Sequence, residues 1–121
     1  MKIAVIAHDG TKDRLRGFIQ SKIDFFANHN IVCTKSTSKI VKEFNLDVSA
    51  VESGPLGGDA QIAAYIVSNE IEAVLFLRDP LGKHPHEPDI NMLLRLCDVY
   101  QLPLATNFKT AEILLNHFKN L

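Results

Sequence analysis

Ile3-Ala-Val-Ile-Ala7 is a continuous apolar run, and it gives way at once to His8-Asp-Gly-Thr-Lys12. A strand with one wet face alternates apolar and polar residues. This run does not alternate, so it reads as a parallel strand covered by helices on both faces. The period then changes. Over residues 12–28, Leu15, Phe18, Ile19, Ile23 and Phe26 fall near one side of a single long helix. A buried strand, a polar turn and an amphipathic helix make up the first unit.

The unit recurs down the chain. Residues 31–34 form a second short strand, followed by a weaker helix near 38–45, and residues 48–51 read as a third strand. Ser53-Gly-Pro-Leu-Gly-Gly-Asp59 is a glycine-rich turn leading into a helix that runs to about residue 69. A fourth strand covers 73–77, a loop rich in Pro and His covers 79–88, and a helix over 89–100, a strand over 103–106 and a helix over 110–119 complete the chain. Five successive strand–helix units predict one α/β domain over residues 1–121, a three-layer α/β/α arrangement with a five-stranded parallel sheet.

The bulk composition fits. Of the 121 residues, 46% are hydrophobic and 22% charged, enough apolar material for one core without disulfides or a structural metal. With 13 basic and 14 acidic residues, the net charge of −1 argues against nucleic acid or an anionic membrane as partner. Cys33 and Cys97 each sit in an apolar run and read as buried free thiols of a reducing compartment. The N-terminal apolar run is too short for a signal peptide and nothing approaches a membrane span, so a cytoplasmic location is expected.

In parallel α/β sheets, ligands sit beyond the carboxyl ends of the strands. Polar chemistry collects at those ends here. The first strand is followed by His8, Asp9, Gly10 and Lys12; the second ends in Thr34-Lys-Ser-Thr-Ser38, with hydroxyls at Thr34, Ser36 and Thr37. The third leads to Ser53, Gly54 and Asp59, the fourth to Arg78, Asp79, His84, His86 and Asp89, and the fifth to Thr106 and Asn107. Short hydroxyls before a helix suit a phosphate, because they add donors to the helix N-terminal amides, although the same residues also serve simply as N-caps. Lys12 suits the same anion as a point charge, although a solitary lysine is usually solvated surface. Gly57-Gly58 ahead of a helix would place Asp59 in its first turn, where the macrodipole favours the ionised carboxylate that a general base requires. A metal site from His84, His86 and Asp89 competes with this reading. Histidines two apart in a Pro-rich loop lack the geometry for joint ligation, so no metal is expected.

Taken together, Ala7-His-Asp-Gly-Thr-Lys12, Ser53-Gly-Pro-Leu-Gly-Gly-Asp59, Phe76-Leu-Arg-Asp-Pro-Leu81, Pro85-His-Glu-Pro-Asp89 and Pro103-Leu-Ala-Thr-Asn107 resemble the motifs of the methylglyoxal synthases, in order and in spacing. The resemblance covers nearly the whole chain. It implies a flavodoxin-like parallel sheet, a homohexamer, no cofactor, and a lyase that converts dihydroxyacetone phosphate to methylglyoxal and inorganic phosphate through an enediolate, bypassing glycolysis. It implies Asp59 as the catalytic base and His86 as the group that polarises the carbonyl and shuttles protons. Asp89, His8, Asp9 and Asp79 match groups lining that site. Lys12, Thr34, Ser36, Thr37, Ser53 and Gly54 match the phosphate-binding positions, and phosphate is the implied inhibitor.

The chain departs from the family pattern in two places. Where the family reads T-G-T-T-G, this chain has Thr34-Lys-Ser-Thr-Ser38, so a turn relying on positive φ there would be strained. Family members also often carry a basic tail after the last helix that relays phosphate inhibition between subunits, whereas this sequence stops at Leu121. Cooperative inhibition is therefore not carried over. A regulatory ligand-binding module of the same domain type, or a phosphate sensor without turnover, would need the anion grip but not the joint presence of Asp59, His86 and Asp89.

Overall fold

The computed structural model describes residues 2–82 and 87–120. β1 (Lys2–Ala7) runs through the middle of a five-stranded, wholly parallel sheet, between β2 (Asn30–Thr34) and β4 (Ala73–Leu77). β3 (Val48–Val51) lies outside β2, and β5 (Leu104–Ala105) lies outside β4. Val5 sits opposite Cys33 on one side and Leu75 on the other, and all three are buried. This is the doubly covered parallel sheet that the unbroken apolar runs require.

The strand order is β3-β2-β1-β4-β5, whereas a flavodoxin sheet runs 2-1-3-4-5. The layers match the flavodoxin-like expectation and the order of the strands does not. Strand composition explains the difference. Ala-Val-Leu-Phe-Leu of β4 is buried throughout and belongs beside β1, whereas Val-Ser-Ala-Val of β3 is half exposed and suits an edge.

Alternate residues of each strand feed two separate cores. Ile3, Val5 and Ala7 face α1 (Lys12–Ser21), α2 (Ile23–Ala27), α3 (Lys35–Lys42) and α6 (Phe108–Lys119). Ala4 and Ile6 face α4 (Gly58–Val67) and α5 (Glu87–Val99), with Ile62, Ile66, Ile90 and Leu93 fully covered. The chain steps from β1 to β2 to β3 on one side, then crosses to β4 on the other. The crevice at this reversal opens over the carboxyl end of β1.

Two local readings change. The expected single helix over 12–28 is broken at Lys22, whose φ of −120° and ψ of 27° end α1 and restart the chain as α2. The break lets the consecutive Phe25 and Phe26 both enter the core, which one continuous stripe would not. The weak helix expected from residue 38 begins at Lys35, directly after an extended Thr34 (φ −65°, ψ 157°). Among the described residues, positive φ outside glycine occurs only at Asn45, Asn69 and Gln101, so Lys35 and Ser38 replace glycines without backbone strain. Ser38 is instead buried, and its hydroxyl donates to the Lys35 carbonyl at 2.7 Å. Among the described residues no helix is long and apolar enough to cross a membrane.

Candidate active site

A cavity of about 490 Å³ opens at the carboxyl ends of β1 to β4. Its polar lining is His8, Asp9, Lys12, Thr34, Ser36, Ser53, Asp59 and Asp79, with Gly10, Gly54, Pro55 and Gly82 as its backbone walls. Each strand end contributes through its own local structure.

After β1 the chain makes a 3-10 turn, Asp9–Thr11, into α1. The Thr11 hydroxyl lies 2.9 Å from the His8 carbonyl and 3.2 Å from the Leu77 carbonyl, and so ties this turn to the end of β4. His8 is 9% exposed and packs edge-on against Phe76 at 5.3 Å between ring centroids. Its Nδ1 accepts the backbone N–H of Asp79 at 3.1 Å. An accepting Nδ1 carries no proton, which assigns a neutral imidazole protonated on Nε2. Lys12 pairs with Asp9 at the mouth; the lysine side chain is 14% exposed and the aspartate 95%. The Lys12 hydrogen bond and charge hold the Asp9 carboxyl below its ordinary value.

At the end of β2, Thr34 is the N-cap of α3 and Ser36 stands in its first turn, both on the cavity wall. The positive end of an eight-residue helix therefore borders the space, as an anion site requires. Thr37 does not line it. That residue is fully buried, and its Oγ1 accepts the Ala7 N–H at 3.1 Å.

At the end of β3, the 3-10 turn Gly54–Leu56 brings the chain to Gly57, with φ 103°, and then into α4. The Gly58 N–H donates to the Ser53 carbonyl at 2.9 Å, and a Cβ at Gly58 would lie 1.8 Å from the Glu52 carbonyl oxygen. Only glycine permits that approach. The result is Asp59 in the first turn of α4, 2% exposed and on the cavity wall. Aligned peptide dipoles at this end stabilise its carboxylate form against the cost of burial.

At the end of β4, Asp79 Oδ1 accepts the Leu81 N–H at 3.1 Å, and a Cβ at Gly10 would lie 2.1 Å from Asp79 Oδ2. The glycine leaves room for a second carboxylate in the wall.

Nine of the sequence-derived site residues thus meet around one cavity: His8, Asp9, Lys12, Thr34, Ser36, Ser53, Gly54, Asp59 and Asp79. Asp89 stands exposed in the first turn of α5, outside the described lining. His86 and His84 lie outside the described residues, and among the described residues no group of three or more His, Cys, Asp or Glu side chains could hold a metal ion. Gly10 was named in the sequence with the polar turn after β1 but given no role, whereas Pro55 and Gly82 were not singled out as lining, and Gly82 carried no signal. Chemically, the cavity joins an anion-binding side (Lys12, Thr34, Ser36 and the α3 N-terminus) to an acid–base side (Asp59, Asp79 and the neutral His8).

A model of the MGS-like domain family matches residues 18–106. The chain is 51% identical to the methylglyoxal synthase of Carboxydothermus hydrogenoformans over 116 residues, covering 95% of this chain and 96% of that protein. It is likewise 51% identical to the methylglyoxal synthase of Bacillus subtilis, over 95% of this chain and 85% of that one. The crystal structure of methylglyoxal synthase from Elizabethkingia anophelis superposes with a TM-score of 0.88 at 37% identity, covering 94% of this chain and 76% of that one. Similarity of this extent, in sequence as well as in fold, means that the chain belongs to the methylglyoxal synthase family.

Proposed function

We propose that this protein is itself a methylglyoxal synthase, converting dihydroxyacetone phosphate to methylglyoxal and inorganic phosphate. The observation that carries the reading is the buried Asp59 carboxylate at the start of α4, in the same cavity as Lys12 and the N-terminus of α3. A phosphate monoester held on the Lys12 side would present its carbon skeleton to the acid–base side.

The chemistry follows from the substrate. Asp59 takes a proton from the hydroxymethyl carbon, and a donor to the carbonyl oxygen stabilises the enediolate as its charge develops. Removing a proton from the carbon bearing the phosphate ester would leave phosphate on the double bond, where it cannot be expelled. From the enediolate, the allylic C–O bond breaks with its electron pair leaving on phosphate. The remaining enol takes a proton at its terminal carbon to give methylglyoxal. The C–O bond must stand out of the enediolate plane to leave, so the phosphate grip sets a torsion as well as an affinity.

The roles we assign are Asp59 as base, His86 as carbonyl donor and proton shuttle, and Asp89, Asp79, His8 and Asp9 as the surrounding acid–base groups. Lys12, Thr34, Ser36, Ser53 and Gly54 form the phosphate grip, and Thr37, expected there from sequence, stands buried behind Thr34. No cofactor enters the scheme. Inhibition by phosphate, a homohexameric assembly and a cytoplasmic location belong to the same reading.

The test is a product assay on the purified chain with dihydroxyacetone phosphate, following methylglyoxal and phosphate together. Equal release of both is expected, with Asp59→Asn reducing turnover by about 10³-fold or more while still binding phosphate. Phosphate binding without product from the unaltered chain would turn the reading to a phosphate-sensing module. Near-normal turnover in the variant would remove Asp59 as base.

A further inference from the structure

We propose that Thr11 is a positioning residue. Its hydroxyl, turned back across the seam between β1 and β4, holds the His8 imidazole against the Asp79 amide and so keeps His8 a donor through Nε2. The effect on turnover rests on the reading of this cavity as a lyase site.

Thr11 is the N-cap residue of α1, a place where a threonine hydroxyl ordinarily accepts from the first turn of its helix. Here it makes no such bond. Its Oγ1 reaches back the other way and shares one proton between the His8 carbonyl at 2.9 Å and the Leu77 carbonyl at 3.2 Å. The Thr11 N–H donates to the same His8 carbonyl at 2.9 Å. One residue thus grips both sides of the seam, just past its last paired residues, Ala7 opposite Leu77.

The seam also sets the His8 ring. The His8 N–H donates to the Leu77 carbonyl at 3.2 Å, long for an N–H···O bond, and the Asp79 N–H donates to His8 Nδ1 at 3.1 Å. Between them the Arg78 N–H turns away to the Thr106 carbonyl at 3.3 Å. Phe76 meets the ring edge-on at 5.3 Å, which holds its plane but does not choose the nitrogen that carries the proton. The Asp79 amide makes that choice. Widening the seam by roughly a few tenths of an ångström would take this bond out of range, and the imidazole could then hold its proton on either nitrogen. Because the Thr11 side chain caps nothing, a valine there removes the seam bond and takes no cap from α1.

NMR of the ring nitrogens and of the Asp79 amide tests this on the full chain, Thr11→Val and Thr11→Ser. Thr11→Val should show a second population with its proton on Nδ1, and its Asp79 amide should exchange about tenfold faster, the size of one neutral hydrogen bond. Thr11→Ser should keep both readings of the unaltered chain. With dihydroxyacetone phosphate, Thr11→Val should lower kcat/KM by about five- to tenfold, and should add nothing on a His8→Ala background, because Thr11 acts through His8. Its Kd for inorganic phosphate should stay within about twofold of the unaltered chain. A single Nε2-protonated tautomer with a protected Asp79 amide in Thr11→Val overturns the role of Thr11, as do losses that add to those of His8→Ala. A phosphate Kd that rises in step with the lost activity also overturns it, since the whole turn, Lys12 included, would then have moved. If Thr11→Val does not fold, Thr11→Ala must meet the same tests. No turnover by the unaltered chain would overturn the lyase reading, whereas the nitrogen and amide readings need no substrate and still decide the role of Thr11.

Discussion

The backbone N–H of Asp79 donates to Nδ1 of His8 at 3.1 Å, and so the second residue past the end of β4 fixes the tautomer of the residue that directly follows β1. The imidazole is thereby a donor through Nε2 rather than a base. Long-range heteronuclear NMR of the ring nitrogens should show His8 protonated on Nε2 alone at neutral pH. A proton on Nδ1 would contradict the hydrogen bond. His8→Ala should lower kcat/KM by about tenfold, the size of one lost neutral hydrogen-bond donor beside the reacting groups, with His86 keeping its role at the carbonyl.

Gly58 and Gly10 make opposite predictions, although both are tight. A Cβ at Gly58 meets backbone, the Glu52 carbonyl at 1.8 Å, and nothing there can move aside without displacing the turn. Gly58→Ala should cost about 2–3 kcal/mol of stability and most of the activity together. At Gly10 the nearest atoms are the end of the Asp79 side chain, which can rotate away. Gly10→Ala should therefore keep nearly all its stability and lose activity through a misplaced carboxylate. Denaturant midpoints beside kcat/KM separate the two; equal stability losses would refute the distinction.

Both thiols should be inert in the folded chain. Burial pushes the Cys33 thiol up to about 12, partly offset by Lys42, and burial together with Asp98 pushes Cys97 up to about 11. At pH 8 neither has an appreciable thiolate fraction, so alkylation by iodoacetamide should wait on opening of the fold. Mass spectrometry should find no adduct on the native protein in the time that the guanidinium-unfolded chain takes both. Rapid labelling of either native thiol would show that its helix or strand opens easily.

The strands were legible because burial on both faces leaves an unmixed signal: β3 and β4 have the bounds read from sequence. The break at Lys22 was not, because Ile23 and Phe26 continue the stripe of α1 and periodicity cannot register a kink that keeps the same face. Strand order was readable only in hindsight, from Ser49 in an edge strand against the all-apolar β4. At the site, residues adjoining a strand end were placed well, because the chain there has no freedom to point elsewhere. Thr37 and Asp89 were harder, each sitting on a helix where phase decides. Thr37 falls on the buried side of α3 with Ile40 and Val41, and Asp89 on the exposed side of α5 beside the buried Ile90.

Asp9 competes with any anion for Lys12, and that competition should be measurable. The Lys12 hydrogen bond and charge depress the Asp9 carboxyl from its ordinary 3.8. A depressed carboxyl contributes its stabilisation above that ordinary value and loses it only as pH falls through the lower, folded-state one. The pair is therefore intact throughout the neutral and mildly acid range. Asp9→Asn removes a negative charge from the mouth and releases the lysine, so anion affinity should rise by about threefold, modest because Asp9 is so exposed. Sulfate is the better probe, since its charge does not titrate in this range. The gap between variant and unaltered chain should stay constant from about pH 8 down to about pH 5, and shrink in high salt as exposed charges are screened. Weaker sulfate binding by Asp9→Asn would mean that Asp9 holds Lys12 in place for the ligand instead of competing with it.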